Sequence, residues 1–393
     1  MYFSTEIPTL IIYLLALAAF FAVVALVYGA VQSFRIVRAR RFCEAIESTV
    51  DMAYEPVSVI VYSQDEAEAL DALLRSILSQ DYPAQMEVVV VNEGDTADVR
   101  DVVATLRHTW PNLYLTHTPD GARSLSRKKL GVTLGIKAAR YDTVVLTTVG
   151  AQIRSNKWLR AMMRHFSPDS GVEVVLGFAA QMPDADSGRG ARCRAFDSAY
   201  GAARWLGAAI GGHPFRATEL NVAYRREAFF RNKGFSRSLN LHFGDDDIFI
   251  SEIARKDNTA VELSADSIVG ILVHDFGYVL RQRAVRHVFT ESHIPRRPRF
   301  WASAAAWSVL LSVACAVAAV AMDCLNGATV ALAAACVLIL AAGLTAAWRR
   351  VLSALEMRLL AASIFPLAVG YPLRRAMLRV RARFCRQKRY TWD

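Results

Sequence analysis

Three carboxylates in a row, Asp245-Asp246-Asp247, stand between Gly244 and the apolar Ile248-Phe249-Ile250. Adjacent acids repel, so the run costs stability unless a cation, a basic partner or a functional need offsets it. Repulsion raises at least one of the three pKa values and suits that group to accept a proton near neutral pH, the task of a general base. The plain alternative is an acidic cap before a helix over 248–255. Asn92-Glu93-Gly94-Asp95 follows an apolar run; its side chains can hydrogen-bond a base or ribose hydroxyls, or simply turn the chain. Ser126-Arg127-Lys128-Lys129 opens a helical pattern. Cations there oppose the helix dipole and point to a bound anion such as phosphate, or to a solvated basic face. Gln282 and Arg286-His287 lie in a cationic stretch able to stabilise a departing diphosphate, or to flank a membrane segment.

These groups need elements to position them. Short β-branched runs over 56–62, 86–91, 113–115 and 143–147 read as strands. Helical spacing covers 65–79, 99–108 and 128–139. Strands alternating with helices predict a parallel, doubly wound α/β sheet. Ligands of such sheets lie beyond the carboxyl ends of the strands, here the loops 62–66, 92–96 and 147–152.

Composition narrows the class. Of 393 residues, 54% are hydrophobic and only 21% are charged, with a mean hydropathy of +0.24. That excludes a disordered chain and argues against an ordinary soluble domain. The net charge is +10, yet residues 51–300 hold 31 Lys and Arg against 30 Asp and Glu. The excess lies in the last ninety residues or so, which points to a membrane surface rather than nucleic acid. Six scattered cysteines form neither a disulfide framework nor a zinc motif.

Residues 10–31 carry no charge and suffice to cross a hydrocarbon core of about 30 Å. Residues 301–322 and 328–348 read as a hairpin of two further spans around a short turn at 323–327. The run 359–373 is interrupted by Pro366 and Pro372 and falls below spanning length. Arginines follow the first span and close the hairpin, so the positive-inside rule sets residues 35–300 and the tail on the cytoplasmic side, with three spans expected and four the alternative. The predicted organisation is a transmembrane helix over 1–34, a juxtamembrane linker over 35–54, a catalytic domain over 55–299, a transmembrane hairpin over 300–350, and interfacial helices with a basic tail over 351–393, lying on an anionic inner leaflet.

The stretch PVSVIVYSQDEAEALDALLRSILSQDYPAQMEVVVVNEG, followed by SRKKLGVTLGIKAARYDTVVLTT, ELNVAYRREAFFRNKGF and GDDDIFI, resembles family 2 glycosyltransferases of the membrane-anchored bacterial type. The resemblance covers about residues 55–300. It implies a GT-A fold, a mixed Rossmann-like sheet, and inverting transfer of a sugar from a nucleotide donor, UDP-linked, to a lipid-linked or other glycan acceptor in cell-surface polysaccharide assembly at the inner membrane. Residue by residue, it implies nucleotide-sugar contacts at Tyr62, Glu66, Asn92, Glu93, Lys128 and Lys129. It implies a catalytic base at Asp245 or Asp246, whose register Asp247 leaves open, and an acceptor side along 196–221. Asp247, Gln282, Arg286 and His287 fall on the leaving-group and acceptor side. The sequence departs from the family in two places. Thr148 and Gly150 stand where the family's Asp-x-Asp holds Mg²⁺ or Mn²⁺. Metal then enters through other groups, cations such as Lys128 and Arg286 replace it, or catalysis is impaired and the chain serves as a nucleotide-binding or scaffold subunit. The family's Gln-x-x-Arg-Trp is matched only loosely by Gln282 and Arg286-His287.

Overall fold

The computed structural model describes residues 7–47, 53–119, 126–167, 170–181, 188–239, 241, 243–271 and 285–384. They divide into two compact units: Met1–Val37, Pro183–Arg204 and Arg296–Arg381 in one, and Arg38–Met182, Trp205–Pro295 and Ala382–Asp393 in the other.

The second unit is built on a seven-stranded sheet. Its strands are β1 (Val57–Ser63), β2 (Met86–Asn92), β3 (Leu113–His117), β4 (Thr143–Thr148), β6 (Val174–Leu176), β8 (Val222–Arg225) and β9 (Thr259–Val261), in the order β3-β2-β1-β4-β8-β6-β9. β5 (Ala151–Gln152), β10 (Val269–Ile271) and β7 (Ala179–Ala180) make a smaller sheet in the order β5-β10-β7. The block β3-β2-β1-β4 is parallel, with Val57 opposite both Met86 and Thr143. β1 is buried along its whole length, which is why VSVIVYS is nearly all apolar: helices cover both faces of a parallel sheet. α2 (Ala67–Leu78) packs down Leu70, Leu73, Leu74, Ile77 and Leu78, and α3 (Ala97–Arg107) packs down Val99, Val103 and Leu106. Each such side chain contributes about 1.5–3 kcal/mol on burial. The sheet is mixed, as the resemblance implies and unlike the wholly parallel sheet that the pattern alone predicts, because β8 runs antiparallel to both β4 and β6. Apolar patterning reports burial and not strand direction, so VAYR carried no sign of this.

α4 (Arg127–Ala138) begins at Ser126, whose hydroxyl accepts the Lys129 amide at 3.5 Å. Short helices α5 (Trp158–Met163), α7 (Arg226–Arg231), α8 (Ile248–Ile253) and α9 (285–290) complete this unit. The expected helix over 248–255 stops at Ile253.

Among the described residues, three helices are long and apolar enough to cross a membrane: Thr9–Ile46, Arg299–Met322 and Gly327–Ala354. They belong to α1 (Thr9–Glu47), α10 (Arg296–Met322) and α11 (Gly327–Ala354). Ala18, Ala316 and Ala333 bring them together, and the Ser312 hydroxyl donates to the Ala18 carbonyl at 2.8 Å. Small residues at such crossings let backbones approach where the hydrophobic effect gives no drive. The hairpin turn is fixed by Asn326, which caps the Ala328 amide at 3.1 Å, and by Thr329 donating to Asp323 at 2.9 Å.

Two boundaries differ from the expected ones. Residues 35–47 continue α1 as helix instead of forming a linker; the stretch contains neither Gly nor Pro, and Arg40 pairs with Glu44 one turn on at 2.7 Å. Residues 351–354 belong to α11, and α12 (Ala361–Phe384) is one 24-residue helix carrying both Pro366 and Pro372. α6 (Arg189–Ile210) is tied to it by Asp197, which accepts from Arg374 Nη2 at 2.5 Å and Nε at 3.0 Å.

Candidate active site

The strand order reverses direction of growth between β1 and β4, and a crevice opens at the carboxyl ends of strands flanking such a point. A cleft of about 430 Å³ lies there, lined among others by Tyr62, Lys128, Thr147, Thr148, Glu219, Tyr224, Asp245 and Asp246. β1 delivers Tyr62 and β4 delivers Thr147 and Thr148, while Lys128 comes from the first turn of α4. The acids arrive on the loop before α8. Gly244 turns that loop with φ +107, and a Cβ there would meet Ile248 at 2.6 Å, so only glycine fits.

The three aspartates have three different surroundings. Asp245 pairs with the Lys128 ammonium at 2.5 Å. Lys128 also pairs with Glu219, which accepts Arg286 Nη1 through both oxygens at 2.9 and 3.0 Å. Burial pushes Asp245 up, but Lys128 and Arg286 outweigh it and hold the carboxyl below its usual range. Asp247 is fully buried and bidentate with Arg216, at 2.5 and 2.8 Å, and also accepts the Thr290 hydroxyl. Asp246 makes no ion pair and no side-chain hydrogen bond among the described residues. Burial, then the Asp247 and Asp245 charges, push it well above the ordinary carboxylate value. One acid of the run thus has no ion-pair partner among the described residues and faces the cleft. A carboxylate so placed is a competent proton acceptor.

Lys129 does not join Lys128. Its ammonium is buried and donates to the carbonyls of Ser238, Leu241 and Phe243, at 2.5, 3.1 and 2.9 Å. It therefore anchors the loop leading into the acids instead of facing a ligand; burial lowers its pKa to about 8. The i, i+1 spacing places the two lysines about 100° apart around the helix, so one turns to the cleft and the other inward.

Asn92 is likewise buried and engaged within the protein. Its amide donates to Asp65 Oδ1 at 2.6 Å and to the Gly94 carbonyl at 2.7 Å, and its oxygen accepts the Asp65 amide at 3.1 Å. This bracing holds Asp65 at φ +61. Glu93 is half-buried and accepts Gln64 Nε2 at 2.8 Å; Glu66 is exposed at the start of α2. The Tyr62 hydroxyl is buried without a hydrogen-bond partner among the described residues. Burial and the nearby Glu93 charge push its pKa up. Gln282 lies outside the described residues. Arg286 stacks over the Phe243 ring at 5.0 Å, and His287 is on the same short helix, α9.

Glu219, Arg216 and Thr290 were not among the residues singled out from sequence. A row of three acids demands cations, and Arg216 inside the apolar stretch HPFRATEL was the available signal; Glu219 opens the matched stretch ELNVAYRREAFFRNKGF and lies in the 196–221 segment without being picked out, and Thr290 carried no signal.

Among the described residues, two groups have metal-ligand spacing, Cys43 with His165 and Glu262 away from the cleft, and one at the acid row. Asp246, Asp247 and His287 each offer a ligand atom, all within 4.8 Å of one another, a donor set able to hold a divalent cation. Such an ion would compete with Arg216 for Asp247 and would occupy the Asp246 oxygen needed for proton acceptance. Gly150, which the resemblance sets opposite the family's Asp-x-Asp, has φ +106, which strains any side-chain-bearing residue.

No family model matches this chain, and no curated protein matches it. Among solved structures it is similar to a mannosyltransferase from Pyrobaculum calidifontis in complex with GDP-Man and Mn²⁺, at 19% identity over 84% of this chain and 99% of that one, with a TM-score of 0.48. It is also similar to glucosyl-3-phosphoglycerate synthase from Mycobacterium tuberculosis in complex with Mn²⁺, uridine diphosphate and glucosyl-3-phosphoglycerate, at 14% identity over 64% and 82% of the two chains, with a TM-score of 0.39.

Proposed function

We propose that the chain is a membrane-bound, inverting glycosyltransferase of family 2 that moves a sugar from a nucleotide-sugar donor, UDP-linked, to a lipid-linked glycan acceptor in cell-surface polysaccharide assembly. The observation that carries this reading is Asp246, a cleft-lining carboxylate with a raised pKa and no ion-pair partner among the described residues, beside the Lys128–Asp245–Glu219–Arg286 cluster. Asp246 takes the proton of the acceptor hydroxyl. The hydroxyl oxygen forms the new bond to the anomeric carbon as the bond to the donor phosphate breaks on the opposite face, and the nucleoside diphosphate leaves with the electron pair. Lys128 and Arg286 are within reach of that diphosphate by exchanging from Glu219, which supplies the charge stabilisation that the leaving group needs. A divalent ion, when bound, would neutralise the same diphosphate.

The purified full chain should consume one of a panel of radiolabelled nucleotide sugars when given a membrane lipid extract. Because Lys128 and Arg286 provide cations in place of an Asp-x-Asp metal, a chelator should lower that rate by less than about tenfold. Complete loss in chelator with recovery in Mn²⁺ would overturn the cation-replacement part. Absence of donor binding would overturn the whole reading. Binding without turnover would favour a nucleotide-binding scaffold subunit, a reading that Thr148 and Gly150 support.

The catalytic domain is proposed to face the cytoplasm. Cys324 is exposed in the hairpin turn, so an impermeant maleimide should label it in intact cells. Cys43 is buried and silent on either side, and Cys385 lies outside the described residues. An Asp98→Cys variant, on the exposed face of α3, should therefore be labelled only after permeabilisation. Labelling of that variant in intact cells would reverse the topology.

A further inference from the structure

Glu219 sits on the two cations that a diphosphate needs. It lines the cleft with its side chain 12% exposed. Its two oxygens accept Arg286 Nη1 at 2.9 and 3.0 Å, and it pairs with the Lys128 ammonium. Lys128 in turn pairs with Asp245 at 2.5 Å. Lys128 and Arg286 carry two positive charges and Asp245 and Glu219 two negative ones, so these four groups offer an entering anion no surplus positive charge. A diphosphate that spans both cations must take the place of the carboxylate that spans both. That carboxylate is Glu219.

The backbone that carries Glu219 is pinned on both sides. Three residues before it, Arg216 is forked onto Asp247 at 2.5 and 2.8 Å, and the Ala217 amide donates to the Asp246 carbonyl at 3.0 Å. Two residues after it, the buried Asn221 donates to the carbonyls of Phe178 and Ser267 at 3.0 and 2.7 Å, and its oxygen accepts Trp158 Nε1 at 3.0 Å. Displacement is therefore a rotation of the Glu219 side chain between staggered torsions. The carboxylate stays beside the diphosphate that replaced it, and like charges in a poorly hydrated cleft repel more strongly than in water. Sugar transfer leaves an electron pair on the terminal phosphate, so the product is more negative than the donor and holds Lys128 and Arg286 harder. Release is the step at which an internal competitor for those cations has most effect.

We infer that Glu219 is a built-in competitor of the diphosphate, which occupies Lys128 and Arg286 in the empty cleft and retakes them to expel the nucleoside diphosphate product. The inference rests on the sugar-transfer reading and is tested first by binding alone. Full-length wild type, Glu219→Gln and Glu219→Asp in a neutral detergent would be titrated calorimetrically with pyrophosphate, UDP and uridine, with and without Mg²⁺. Glu219→Gln keeps the shape and removes the charge; it should bind pyrophosphate and UDP about tenfold to a hundredfold more tightly than wild type, the scale of one or two charge-assisted hydrogen bonds. Uridine has no phosphate, so its affinity should not change. Glu219→Asp keeps a carboxylate one methylene short and should fall between the two, which preserves the test if the Gln variant does not fold. In turnover, KM for the donor and kcat should fall together in Glu219→Gln, because the product leaves more slowly. Equal or weaker pyrophosphate and UDP binding in that variant, with wild type binding UDP, would overturn the competitor and leave the donor reading standing. Tighter pyrophosphate binding in the variant with no UDP binding by either protein would uphold the competitor and remove the UDP-linked donor. No binding of either anion by any of the three proteins would overturn both.

Discussion

Asp246→Asn is expected to lower turnover by about 10²- to 10⁴-fold while leaving donor binding largely intact. The substitution keeps shape and removes the proton acceptor, so the loss falls on the transition state. It should also raise the thermal midpoint near neutral pH. The sign follows from linkage: the folded-state pKa of Asp246 is raised, so the group's contribution is fully present below the unfolded value near 3.9 and is lost as pH rises through the folded value. Burial and the neighbouring Asp245 and Asp247 charges penalise the ionised wild-type carboxylate, and asparagine removes that penalty. Turnover in wild type should fall as pH drops through that raised value, because only the ionised form accepts a proton. A capping role predicts the opposite pair of results, namely a stability loss of about 0.5–2 kcal/mol with turnover per folded molecule unchanged. Asp245→Asn releases Lys128 and should lower turnover through misplaced charge, whereas Asp247→Asn should act mainly on stability. Normal turnover and an unraised midpoint in Asp246→Asn would remove the base from this site.

Arg216→Leu is expected to destabilise the sheet-containing unit by about 3–5 kcal/mol, a large part of the 5–15 kcal/mol typical of a folded domain. The Arg216 and Asp247 side chains are 2% and 1% exposed. Removing the guanidinium leaves a buried carboxylate with, among the described residues, only Thr290 donating to it, next to two further acids. The double variant Arg216→Leu/Asp247→Leu should recover most of that loss, because a buried ion pair exchanged for packed apolar groups is often neutral or better. Chemical denaturation of the three variants checks this. If the double variant is no more stable than the single one, packing rather than stranded charge explains the effect. Its turnover should stay well above that of Asp246→Asn, since Arg216 acts on the acid row from behind and touches no reacting atom.

Much of the architecture was legible in the chain. Strands β1, β2 and β4 were readable because burial on both faces forces continuous β-branched runs, and α2 was readable because Leu70, Leu73, Leu74, Ile77 and Leu78 repeat at helical spacing. The three apolar helices followed from length against membrane thickness. These properties depend on residues near in sequence, where composition and period act directly. The antiparallel insertion of β8 did not show, since the pleat alternates alike in either direction.

The acidic run shows the same division most sharply. Its three carboxylates and their mutual repulsion were plain from Asp245-Asp246-Asp247, but their separate states depended on partners far along the chain: Lys128 for Asp245, Arg216 and Thr290 for Asp247, and none for Asp246. The two adjacent lysines divided similarly, Lys128 to the cleft and Lys129 to three loop carbonyls. Charge type is a property of the residue, whereas the pKa that fits a group for chemistry belongs to its surroundings, and those are assembled only when distant segments fold against one another.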